Sequence, residues 1–217
     1  MASTAVAPTT KVAIVTFDGF NELDTFIALG LINRLRPLGW SAEIASPAAR
    51  LTSMNGVTVD TPQPLEFANE ADVVLFGSGL YTRAIAENSA VLDRLQLDPL
   101  RQMVGAQCSG VLLLARLGLL ADMPASTDVT TKPWVVEAGV RVNDTAFHAR
   151  GPVATAGGCL ASQYLATWVM LRRAGLDAAT QALTYAAPVG EKESYVQRLL
   201  AVVQPFVTDG AGAAAAA

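Results

Sequence analysis

The sequence predicts an α/β domain built on a mostly parallel sheet, and three observations carry that expectation. Short apolar, β-branched runs at residues 11–17 (KVAIVTF) and 72–76 (DVVLF) read as strands buried on both faces. Segments with apolar residues at helical spacing follow such strands in alternation, the order that builds βαβ units. Of 217 residues, 52% are hydrophobic and 16% charged, which excludes a disordered chain and provides for a sizeable core.

The elements follow in order. Residues 1–10 are small and polar and predict a loose arm, with one domain over residues 11–207. After the first strand, Asp18-Gly19-Phe20-Asn21 signals a turn. Leu23, Phe26, Ile27, Leu31 and Leu35 then recur near helical spacing over residues 22–35, and Pro37 and Gly39 stop that helix. Residues 41–45 read as the second strand. Asn55-Gly56, between Leu51 and residues 57–59, predicts a small hairpin. The third strand, residues 72–76, runs into Gly77-Ser78-Gly79. Residues 89–97 predict a helix, residues 103–107 (MVGAQ) a fourth strand, and residues 109–117 a helix closed by Gly118. Residues 131–137 predict one or two helical turns. Residues 147–150 and 153–155 read as strands joined at Gly151-Pro152. Gly157-Gly158 opens a long apolar helix over residues 160–174, and a further helix covers residues 177–185. The alanine-rich residues 208–217 predict a disordered, low-complexity tail.

Composition narrows the function. The net charge is −4, so the basic footprint of a nucleic-acid binder is missing. No uncharged run is long enough for a transmembrane helix, and the N-terminal residues lack the pattern of a secretory signal. Two cysteines and one histidine, His148, predict neither a disulfide framework nor a structural zinc site. A cytoplasmic, reducing setting follows, and neither metal nor other cofactor is expected.

The strongest chemical signal is Val104-Gly105-Ala106-Gln107-Cys108-Ser109-Gly110-Val111. A strand ends, one residue sits at a tight turn, and an apolar helix starts at once. Ala106 and Gly110 flank Cys108 at the small-residue positions of a nucleophile elbow, with cysteine in place of serine. Unpaired N–H groups and the helix dipole at such a position favour the reactive thiolate. The Ser109 N–H is then placed to steady a developing oxyanion. The plainer reading of Cys108 is a small buried thiol at a strand end.

On four segments the chain resembles the DJ-1/ThiJ/PfpI superfamily over residues 11–185: KVAIVTFDGFNELD, DVVLFGSG, GAQCSGVLLLARLGLL and ATAGGCLA, in matching order and spacing. It is most similar to the isocyanide hydratase-like branch and to the amidase-like domains of some transcription regulators. The resemblance implies a flavodoxin-like three-layer sandwich and a homodimer. It assigns to Asp24 the family's acidic residue beside the elbow cysteine, and its burial there raises its pKa and keeps a proton at hand. It assigns the backbone amides of Ser78 and Gly79 to substrate binding, and the Ser109 hydroxyl to water or substrate, or to a helix cap. Asp128 falls where many members place a histidine, which leaves no Cys–His–acid triad and counts against a papain-like hydrolase. His148 matches no catalytic position. Cys159 falls on the loop that lines the pocket, as wall or as a second reactive thiol.

The function so implied is a cysteine-dependent enzyme acting on a small molecule. Cys108 attacks a carbon electrophile, Asp24 handles the proton and water completes the turnover, as in hydration of an isocyanide to an N-formamide. The alternatives are glyoxalase- or deglycase-like handling of 2-oxoaldehydes, and a redox sensor whose Cys108 oxidises to a sulfinate.

Overall fold

The computed structural model describes residues 10–120 and 122–207. The predicted tail lies outside them, as does the predicted arm except Thr10, which opens the first strand. That strand, β1 (Thr10–Val15), leads through the Asp18–Asn21 turn into α1 (Glu22–Ile32). A 3₁₀ segment, Asn33–Leu38, continues the helix, and Gly39 closes it in the left-handed region at φ 82°. Next come β2 (Trp40–Ser46), the antiparallel hairpin β3 (Arg50–Thr52) and β4 (Thr58–Asp60), and the short β5 (Gln63–Pro64).

Helix α2 (Phe67–Glu70) precedes β6 (Val73–Phe76). The region predicted as one helix over 89–97 holds only α4 (Ser89–Leu92), after α3 (Thr82–Ala86). Strand β7 (Met103–Gln107) enters a single 3₁₀ turn, Cys108–Gly110, and then α5 (Val111–Arg116). Helix α6 (Lys132–Glu137), β8 (Phe147–Arg150) and β9 (Val153–Ala156) follow. A 3₁₀ turn, Cys159–Ala161, opens α7 (Ser162–Ala186). Gly175, at φ 86° and ψ 175°, kinks α7 between the two helices that the sequence predicts. Helix α8 (Lys192–Val203) was not predicted.

Seven strands form one sheet in the order β5-β2-β1-β6-β7-β9-β8, with only the β8–β9 pair antiparallel. Alternate strand residues face opposite sides. Val12, Ile14, Val73 and Leu75 join a core with α1, α7 and α8, while Ala13, Val15, Val74 and Phe76 join a second core with α5 and α6. The result is the expected flavodoxin-like three-layer sandwich. No helix among the described residues is long and apolar enough to cross a membrane.

Helix α1 sits differently from its apolar spacing. It buries Asp24, Thr25, Ala28, Leu31 and Ile32 and leaves Leu23 48% exposed. A carboxylate thus faces inward where a leucine was expected to.

Candidate active site

The carboxyl ends of four adjacent strands, β1, β6, β7 and β9, converge, as active sites of parallel sheets do. The loop after β1 brings Asp24, the loop after β6 brings Ser78 and Gly79, the turn after β7 brings Cys108, and the loop after β9 brings Cys159.

Cys108 is the one non-glycine residue among those described with positive φ, at 47°. That is the strained geometry of an elbow, at a cost of order 1–3 kcal/mol. The lack of a side chain at Gly110 permits it: a Cβ there would stand 2.3 Å from the Gly77 carbonyl oxygen. Thr127 Oγ1 donates to the Cys108 carbonyl at 2.7 Å and pins the turn from the other side.

Ligand-type atoms of Asp24, Cys108 and Cys159 all lie within 4.8 Å of one another. The two sulfurs are 3.9 Å apart and both cysteines are free. Asn21 Nδ2 donates to Cys159 Sγ at 3.2 Å, while Asn21 Oδ1 accepts from the Leu23 N–H and caps α1. Two sulfurs and a carboxylate suit a thiophilic divalent ion better than a hard one.

Asp24 is 2% exposed. Its Oδ2 accepts from the Ser78 N–H at 3.1 Å, and its Oδ1 is buried without a partner of hydrogen-bond geometry. Gln107 Nε2 is orphaned in the same way, yet that side chain lies near enough to Asp24 to favour its charge. Burial outweighs these neighbours and holds the Asp24 carboxyl above the usual carboxylate range. Ser162 Oγ donates to the Asp24 carbonyl and locks α7 to α1 at the site.

The ionised resting thiolate expected from the elbow is not what this environment favours. Burial, then the negative charges of Asp24, Cys159 and Asp128, push the Cys108 thiol far above its ordinary value. The helix behind it is a 3₁₀ turn followed by a six-residue α5, a small dipole against three acids. Burial and the Asp24 charge also raise Cys159, against the Asn21 amide.

The remaining candidates take other places. Ser109 Oγ donates to Thr82 Oγ1 at 2.9 Å and accepts from the Gly79 N–H at 3.4 Å, so its hydroxyl braces the β6–α3 loop. The Ser78 and Gly79 amides expected to meet substrate are therefore engaged by Asp24 and Ser109. Asp128 accepts from the Thr130 and Thr131 N–H groups and shapes the entry to α6, reaching Cys108 only through its charge. Glu22 accepts from Ser53 and Asn55 and clamps the β3–β4 hairpin to α1. His148 stacks edge-on against Phe206, 5.2 Å between ring centres, on the antiparallel edge of the sheet. Asn21 and Gln107 were missed. An Asx cap before a helix signals only the cap, and nothing local in a strand residue marks its side chain as a neighbour of Asp24.

Cys108 itself is 4% exposed and lines none of five cavities found among the described residues. Cys159, whose sulfur lies 3.9 Å from that of Cys108, is half-buried.

No protein-family model and no curated protein matches the chain. Solved structures do. DJ-1 from Schizosaccharomyces pombe is 13% identical, with a TM-score of 0.71 over 82% of this chain and 99% of that one. A ThiJ/PfpI family protein from Pseudomonas syringae is 14% identical, with a TM-score of 0.73 over 93% of this chain and 90% of that one. An AraC family transcriptional regulator from Pseudomonas putida is 20% identical, with a TM-score of 0.71 over 82% of this chain and 100% of that structure. The fold is thus that of DJ-1/ThiJ/PfpI proteins, and at these identities the likeness carries the fold alone.

Proposed function

We propose that the protein is a cysteine-dependent hydratase that adds water to a small carbon electrophile, with an isocyanide as the leading substrate. The observation that carries the reading is the buried Asp24 carboxyl, with one oxygen unpartnered, beside the Cys108 sulfur.

Isocyanide hydration suits a site that favours protonated acids. The first step adds S–H across the isocyanide carbon. The thiol proton passes through Asp24 to carbon, sulfur bonds to the same carbon, and a neutral thioimidate forms. Water then adds to that carbon, the C–S bond breaks, and the proton returns to sulfur as the N-formamide leaves. The shuttle through Asp24 avoids a free thiolate in a place that penalises one. The narrow, linear end of an isocyanide also fits a cysteine only 4% exposed. Of the sequence-predicted residues, Cys108 is the nucleophile and Asp24 the proton carrier, while Ser109, Ser78 and Gly79 hold the loop around them.

Steady-state assays with an aryl isocyanide and with methylglyoxal test this, wild type against Cys108→Ala. Turnover of the isocyanide by wild type, abolished in the variant, is expected. A wild type inert toward isocyanide but active on methylglyoxal refutes the hydratase in favour of glyoxalase chemistry.

The working unit in this proposal is a cytoplasmic homodimer. Leu80 and Leu160, 61% and 63% exposed, lie on the two loops bordering the site and give a second copy an apolar edge.

A further inference from the structure

We infer that Cys108 and Cys159 form a two-cysteine redox centre that takes a hydroperoxide as oxidant and closes to an intramolecular disulfide. The inference does not rest on the hydratase reading, because it is argued from the placement of the two thiols.

Proximity is the first support. The sulfurs stand 3.9 Å apart, and both thiols are free. The cysteines leave neighbouring parallel strands, with Gln107 in register with Ala156, so the backbones that carry them are already side by side. From 3.9 Å the two sulfurs need approach by only about 2 Å to reach bonding distance. The second support is access. Cys159 is half-buried while Cys108 is 4% exposed, so an oxidant meets Cys159 first. The Asn21 amide, donating to Cys159 Sγ at 3.2 Å, steadies negative charge on that sulfur as it attacks.

The atoms balance in two steps. With hydrogen peroxide as the hydroperoxide, the Cys159 sulfur attacks one peroxide oxygen and the O–O bond breaks, the thiol proton going to the leaving oxygen, to give a sulfenic acid and one water. The Cys108 sulfur then displaces hydroxide from that sulfenic acid. Its thiol proton goes to the leaving hydroxide, with the unpartnered Asp24 oxygen as relay, and a second water departs. Two thiols have lost two hydrogens, and one peroxide has become two waters.

Kinetics favours the disulfide over the sulfinate. Condensation needs only the neighbouring thiol, whereas a sulfinate needs a second peroxide to reach an enclosed atom. Once formed, the disulfide carries no charge in a place that disfavours thiolates. Its reduction must expel one, so the closed form resists monothiols.

The test is intact mass spectrometry of the full chain after brief exposure to a small excess of hydrogen peroxide, followed by alkylation under denaturing conditions and peptide mapping. The expected product has lost about 2 Da, contains no alkylatable cysteine, yields one peptide pair joined through Cys108 and Cys159, and reverts with dithiothreitol. Cys159→Ser serves as the second arm and must not show that mass loss; the same loss in the variant would mean a sulfenamide at Cys108 and overturn the inference. Two alkylatable cysteines after exposure, or a sulfinate on Cys108 with Cys159 still alkylatable, also overturns it.

Discussion

Asp24 concentrates the energetics of the site in one side chain. It is buried and has one unpartnered oxygen. Its native pKa lies above the unfolded value of about 3.9. Between those two values the folded state holds a proton that the unfolded state has released. Stability therefore falls as pH rises through that window and stays lower above it. Asp24→Asn removes the titration and keeps an acceptor for the Ser78 amide. The variant is expected to be more stable than wild type at neutral pH, with the gain disappearing as the pH falls below about 4. Urea unfolding at several pH values measures this, and an asparagine variant less stable at pH 7 would contradict the burial argument. Cys108 behaves similarly at the alkaline end. Its thiol stays protonated in the fold after an unfolded cysteine, near 8.5, has ionised, so wild type loses stability above that pH and Cys108→Ala lacks that slope. Cys108 was legible because an elbow is written in five consecutive residues. Its ionisation was not, because it depends on charges brought from three other loops. The contact of Asn21 with Cys159 spans 138 positions and has no local signature.

At the level of elements, the strands were the most legible part, because burial on both faces leaves an uninterrupted apolar run. Helix ends were legible where glycine or proline stops the chain, as at Gly39 and at the Gly175 kink. Helix α8 escaped notice because only Val196, Leu199 and Val203 are buried among charged neighbours such as Lys192, Glu193 and Arg198, so its stripe is too thin to stand out. The segment between α5 and β8 offered little periodicity because much of it is loop tied by side-chain bonds, such as Ser126 to Asn143. Two glycines give opposite expectations on mutation. Gly110→Ala drives a methyl group to 2.3 Å from the Gly77 carbonyl, a backbone atom that cannot swing away, so a loss of about 1–3 kcal/mol is expected. Gly30 lies within α1, where a Cβ meets nothing within 4 Å, so Gly30→Ala should stabilise by about 0.5–1 kcal/mol. Thermal unfolding of both variants checks the pair. Equal effects would mean that backbone entropy, not the elbow's close approach, governs position 110.

On the scale of the whole molecule, one sheet separates two cores without dividing the protein into two units. Ile14 and Leu75 pack toward α1, α7 and α8 on one side, while their strand neighbours Val15 and Phe76 pack toward α5 on the other. Neither core can lose its order without exposing backbone that the other relies on, so both should melt together. Leu199 of α8, 0% exposed, belongs to the first core, and Leu113 of α5, 1% exposed, to the second. Each truncation to alanine should cost about 2–5 kcal/mol by leaving a cavity in close-packed surroundings. The two sites lie on opposite faces of the sheet and share no packing cluster, so the double variant should lose the sum of the two within about 0.5 kcal/mol. Denaturant unfolding followed by tryptophan fluorescence and by far-UV circular dichroism gives the decisive comparison. Trp40 and Trp168 belong to the first core and Trp134 packs against the second, so with Trp134→Phe in every chain compared the fluorescence reports on the first core while the dichroism reports on all elements. Coincident transitions in wild type and in both single variants fit a sheet that holds the two cores as one cooperative unit. A Leu199→Ala variant whose fluorescence changes well before its dichroism would mean that the α7–α8 layer comes away alone, and with it the loop that holds Cys159 beside Cys108.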